Sequence, residues 1–187
     1  MRLIFRVALP VLAIVAVACS DPNQLLPASQ RNFEDTVTVF ALHGTPVQSP
    51  SGYSVPDGPV RTDRTSSFDF AYDVTVSGVD TTRYFLPQKV LDLAVNNSVN
   101  PGLQLRAQTF ESIVDAPSNG YITEDSLPLS LHQVYIVRSR LVCQIGVSLY
   151  SKLEIIAFDD AARSVQFRVL ANINCGYKRL QPGLPTK

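Results

Sequence analysis

Residues Ser164–Ile173 read Ser-Val-Gln-Phe-Arg-Val-Leu-Ala-Asn-Ile. In an extended chain Val165, Phe167, Val169, Ala171 and Ile173 share one face, and Gln166, Arg168 and Asn172 take the other. A repeat of two marks a half-buried strand, because successive side chains on a strand point to opposite sides. Leu149–Phe158 repeats the pattern: Leu149, Leu153, Ile155 and Ala157 face one way, Lys152 and Glu154 the other. Between the two lies Asp159-Asp160-Ala161-Ala162-Arg163, and aspartates favour turns by bonding nearby backbone N–H groups. The pair is predicted to be a hairpin with a loop of about four or five residues. Upstream, Val134-Tyr135-Ile136-Val137 is apolar on both faces, which predicts a central strand, and Arg138-Ser139-Arg140 then carries it towards solvent.

A second alternation runs through Ser67–Val76. Phe68, Phe70, Tyr72, Val74 and Val76 form an aromatic-rich core face; Asp69, Ala71, Asp73 and Thr75 form a wet one. Gly78-Val79-Asp80 ends it in a turn. Further strands are predicted at Thr36–Leu42, Arg83–Leu86, Leu103–Phe110, Tyr121–Ile122 and Leu127–Leu131. In Leu103–Phe110, Leu105 and Ala107 point inward, and Phe110 departs from the alternation as at a bulge. Val90–Val95 fits a strand or a helical turn. Residues 44–65 hold four prolines and no clear periodicity, a long loop of the kind that is functional or hides a short strand, with Tyr53 marking the place for one. This adds up to an all-β fold, an antiparallel β-sandwich of about nine to eleven short strands.

The N-terminus is of another kind. Arg2 and Arg6 precede the uncharged run Val7–Ala18, which is short for a bilayer span and suits a secretory signal. Ala16-Val17-Ala18 then leads into Cys19-Ser20-Asp21-Pro22. This resembles the lipobox of bacterial lipoproteins, with Ala16 in the place where leucine is commonest. The resemblance implies a signal peptide over 1–18, a diacylated Cys19 carrying chains such as palmitate, and a cell-envelope location. Ser20 resembles an outer-membrane sorting signal. Two or three acyl chains, at about 0.8 kcal/mol per buried methylene, make a firm membrane anchor. The polar stretch 19–32 is then a tether, 33–177 the β domain, and 178–187 a frayed tail.

With Cys19 assigned, Cys143 and Cys175 are the remaining two of three cysteines. In an oxidising envelope they are expected to pair, closing a loop around the hairpin and stabilising it by roughly 3–4 kcal/mol.

Composition bounds the partners. The chain has 16 basic and 16 acidic residues, and removal of Arg2 and Arg6 with the signal leaves 14 basic against 16 acidic. A nucleic-acid surface needs a basic excess, so none is expected. No nucleophile elbow, zinc-protease helix or EF-hand loop occurs, so no catalytic residue, metal site or cofactor is assigned. Asp57, Asp63, Asp69, Asp73 and Asp80 are dense, yet no loop gathers them. Arg138 and Arg140 could hold a carboxylate.

The order Val134-Tyr135-Ile136-Val137-Arg138-Ser139, Tyr150-Ser151-Lys152-Leu153, Val165-Gln166-Phe167 resembles the C-terminal part of HmuY-type haem-binding lipoproteins. That family implies a lipid anchor, an all-β domain and haem held by a histidine pair. The match does not place His43 and His132, the two histidines here, on those positions. The expected function is a lipid-anchored envelope module that binds a protein or glycan through the 44–65 loop, with Tyr53, Asp57 and Asp63 as contact residues. Two alternatives stand beside it: a small-ligand or haem carrier, marked by a deep apolar pocket, and a hydrolase, marked by His43 or His132 beside a serine or carboxylate in a cleft.

Overall fold

The computed structural model describes residues 25–93, 99–144 and 146–186. Cys19, the expected signal over 1–18 and the first part of the expected tether lie outside the described residues, as do Ala94 and Val95. Among the described residues ten strands occur: β1 (Glu34–Phe40), β2 (Gly52–Ser54), β3 (Gly58–Val60), β4 (Phe70–Ser77), β5 (Asp80–Pro87), β6 (Gly102–Arg106), β7 (Leu127–Pro128), β8 (Val134–Leu141), β9 (Ser148–Asp159) and β10 (Ser164–Asn172). They form two antiparallel five-stranded sheets, ordered β1-β10-β9-β8-β6 and β3-β2-β4-β5-β7. The chain is an antiparallel β-sandwich. The expected hairpin is β9–β10, with Asp159 opposite Ser164. The 44–65 loop does hide strands, β2 and β3, and Tyr53 sits in the first. At Val90 the helical alternative holds, as a 3₁₀ turn over Gln88–Leu91.

Aromatic rings fill the space between the sheets. Phe70 lies 4.4 Å from Phe85 between ring centres, and Phe85 is 5.9 Å from Phe167 and 5.8 Å from Tyr135. All four are fully buried. One expectation fails inside this layer. Alternation assigns Ala157 to the core face, but the β9–β10 register slips between Gln166 and Phe167. The extra residue turns Phe158, opposite Val165, towards the core instead.

The first sheet is buried on its outer face as well. There Val134, Ile136, Tyr150 and Leu170 pack against Phe110, Ile113, Ala116 and Leu180. This second core explains why Val134–Val137 is apolar on both sides. It also corrects three expectations. The predicted strand Leu103–Phe110 ends at Arg106; Phe110 is no bulge but a buried cap, while Leu105 is 49% exposed and Ala107 is exposed too. The tail 178–187 is not frayed: Leu180 is fully buried, and the segment pairs with 114–116 through Ala116 N–H to Lys178 O and Leu180 N–H to Val114 O. Lys152 points to the outer face as expected, yet it is buried, and its Nζ donates to the carbonyls of Phe110 and Ile113 at 2.7 and 3.0 Å.

The tether is docked from Leu25 onward. Asn174 acts as a spare peptide group: its Oδ1 accepts from the N–H groups of Ser29 and Gln30 and its Nδ2 donates to Gln30 O. Asn32 pairs with Gly183 in both directions and sends its Nδ2 to the carbonyls of Arg179 and Gln181.

Cys143 and Cys175 form the disulfide, with Cα atoms 5.9 Å apart, inside the normal range. It ties the end of β8 to the segment after β10. Replacing both cysteines with serine is expected to lower unfolding stability by about 3 kcal/mol, read as a lower urea midpoint. An unchanged midpoint would contradict a structural role.

Candidate functional site: a groove between the sheet edges

The residues expected to meet partners do not share one fate. Tyr53 is 2% exposed and belongs to the inter-sheet core, so it is no surface contact. Asp63 is held by Arg61 in a local ion pair. Asp57 is exposed at the turn between β2 and β3, where Ser54 Oγ donates to it at 2.6 Å.

That turn is set by a charge the alternation placed in water. Asp69, on the predicted wet face, has no exposed surface. Its carboxylate accepts from Val55 N–H at 2.7 Å, Arg140 N–H at 2.8 Å and the Arg140 guanidinium at 3.3 Å. Arg140 also reaches Ser54 Oγ and Asp57. So Arg140 does hold carboxylates, but they are the protein's own. Ser139, expected near solvent, is fully buried and accepts from Leu149 N–H. The two arginines part company because the β8–β9 register shifts between Arg138 and Leu141. Arg138 instead stacks over the Tyr121 ring, 4.7 Å from its centre. Asp73, the other supposedly wet aspartate, is buried beneath His43, whose Nδ1 lies 2.6 Å away. Val76, assigned to the core face, is 57% exposed because β4 runs out past the sandwich.

With the β2–β3 turn fixed, a groove opens where the edge strands β1 and β3 face each other. It encloses about 280 Å³. Val37, Tyr53, Val55, Val169 and Ala171 line it, together with Phe33 and Ile173. Arg31, Asp35 and Asp57 are its charged lining residues. Burial, with Asp69 and Asp35 adding to it, holds the Tyr53 hydroxyl well above the usual phenol range, so it stays neutral and able to donate.

A wider, more open cleft of about 510 Å³ lies on the other side and is lined by Arg106, Glu111, His132, Gln133 and Glu154 among others. His132 Nδ1 is 3.9 Å from Glu154 Oε1. Arg168 holds both Glu154 and Glu111. Each histidine therefore stands beside a carboxylate, as the hydrolase reading required, but His43 is 83% exposed and His132 77%. The cleft lined by His132 does not include His43. Among the described residues no cluster of three metal-ligating side chains occurs, and no helix is long and apolar enough to cross a membrane.

No protein-family model, curated protein or solved structure matches the chain.

Sequence reading missed the groove because its lining joins β1 and the β2–β3 hairpin to β10, far along the chain. Of the expected contact residues, Tyr53 and Asp57 line it and Asp63 does not.

Asp69→Ala is expected to destabilise the fold by about 3–5 kcal/mol, since it strands Arg140 and two buried N–H groups. Burial pushes the Asp69 carboxyl above its ordinary value. The folded state then holds the proton in a range where the unfolded chain has lost it. The Asp69 contribution is thus full below the unfolded value, near pH 4, and is lost as pH rises through the folded value. Wild-type stability minus that of Asp69→Asn should fall with rising pH in urea titrations; a rising difference would reverse the assignment.

Proposed function

We propose that this protein is a lipid-anchored module of the bacterial cell envelope, and that it binds an apolar ligand or apolar segment in the groove between β1 and β3. The observation that carries the binding reading is the groove itself, lined by Val37, Val55, Val169 and Ala171 with the charged residues Arg31, Asp35 and Asp57 among them. That is the usual plan of a binding pocket, mostly apolar with few polar groups that orient the occupant. The groove supports the small-ligand alternative, for which a deep apolar pocket is the expected mark, in that its lining is mostly apolar. The anchor rests on the sequence Ala16-Val17-Ala18-Cys19 after a charged and then apolar leader. The outer membrane is the favoured destination, on the strength of Ser20.

An apolar naphthylamine dye tests the groove. It should brighten on binding and be displaced by apolar compounds. Ala171→Arg, which places a charged side chain in the partly open wall, should weaken the dye about tenfold, or ~1.4 kcal/mol, while the melting temperature confirms folding. Dye binding indifferent to this change would remove the groove from the account. Native mass spectrometry of protein extracted from its own membranes would then show whether a small molecule stays bound.

For the anchor, Cys19→Ser should shift the protein from the membrane to the soluble fraction, and the acyl mass should vanish from the mature N-terminus. If fractionation and mass are unchanged, Cys19 is not the anchor.

A further inference from the structure

We infer that the N-terminal pole of the sandwich, presented by Leu26, Phe33, Ile173 and Leu184, seats on the lipid surface of a bilayer. The inference extends the lipid-anchor reading and takes its geometry from it. These four side chains are 74%, 69%, 39% and 56% exposed. They come from three separate chain segments that the fold gathers. Leu26 is held by the Tyr177 hydroxyl, which donates to its carbonyl at 3.1 Å. Phe33 and Ile173 both line the same groove. Leu184 follows Gly183, which pairs with Asn32 beside Phe33.

The segments are fixed, not loose. Leu25 packs so closely on Gly176, which has a φ of +78°, that a Cβ there would meet Leu25 Cδ2 at 2.6 Å. A tether that only spaced a domain from a membrane would have no use for such docking, nor for apolar side chains turned outward.

The position is also right. Cys19 precedes Leu25 by six residues, a reach of at most about 20 Å. The pole is therefore never far from the leaflet that would hold the acyl chains. The charges here are mixed. Arg31 and Lys178 stand with Glu34, Asp35 and Asp115, and Arg179 is engaged with Gln181. The attraction is apolar rather than electrostatic, so it does not require anionic lipid.

The chain has no tryptophan, so single substitutions report cleanly. Phe33→Trp marks the pole. Val79→Trp, at a site 99% exposed in the β4–β5 turn, marks the opposite end. That turn lies towards the β9–β10 loop, where Arg83 meets Asp160 and Arg163 meets Val74 O, at the start of β10. Ile173 lies just past the end of that strand, about 30 Å away at ~3.3 Å per residue.

The full acylated protein, carrying one substitution or the other, is placed in phosphatidylcholine vesicles with brominated acyl chains. Fluorescence of the Phe33→Trp variant should be blue-shifted and quenched about twofold or more, as expected for a side chain some 5–10 Å below the surface, and that of the Val79→Trp variant should be unaffected. Vesicle-bound protein in which neither variant is quenched overturns the seating while the anchor stands; that result would leave the pole for a protein partner. If the purified chain carries no acyl chains, the same vesicles added to it still decide. Quenching of the Phe33→Trp variant then keeps the seating and removes the anchor, and no quenching removes both.

Discussion

The first sheet is buried on both faces, and most of the rest follows from that constraint. A five-stranded sheet with a wet outer side would need only its partner sheet. Here β8, β9 and β10 carry Val134, Ile136, Tyr150 and Leu170 outward, so some other part of the chain must cover them. The cover is irregular backbone from 107–121 and 178–183. Irregular backbone brings carbonyls that need donors. Lys152 meets two of them, and its ammonium nitrogen lies 4.5 Å from the centre of the Phe110 ring. The last residues are thereby recruited into the fold, and Asn172 and Asn174 hold them and the incoming chain together.

A second device joins the two sheets at one end. The Asp69 carboxylate spans β4, the β2–β3 turn and the end of β8. A buried charge is costly unless its oxygens are matched by donors, and here three donors meet two oxygens. The geometry fixes the β2–β3 turn against β8. The groove depends on it, because that turn supplies one wall and the opposing wall comes from β1 and β10. The disulfide closes the same end from the far side of β8. Rigid walls around an apolar slot favour binding, since little order remains to be imposed on the protein when an occupant arrives.

Several features were legible from local pattern. The β9–β10 hairpin, the central place of β8, the strand hidden at Tyr53 and the cysteine pairing each follow from a few adjacent residues or from counting. The errors share one cause. Asp69 and Asp73 read as wet because aspartate on an alternating strand usually is, yet each is satisfied by partners 30 or more residues away in Arg140 and His43. Ala157 read as core and Phe158 as its opposite, because a single extra residue in β9 is invisible until the register with β10 is known. Leu105 read as core because it alternates with the buried Leu103, yet it is 49% exposed although it sits inside β6 opposite Tyr135.

What the sequence determined by itself is therefore the class of the chain: alternating strands that must stack as two layers, two cysteines free to pair, and a leader ending in Ala-Val-Ala-Cys that resembles a lipoprotein signal. These are statements about neighbours along the backbone, where a period of two is enforced by strand geometry. Tertiary structure alone decided that one sheet has two cores, that the C-terminal segment is packed, and that a buried aspartate and Arg140 set the β2–β3 turn. Each depends on register or on contacts between segments distant in sequence, and no local periodicity encodes the partner a side chain will find across the fold.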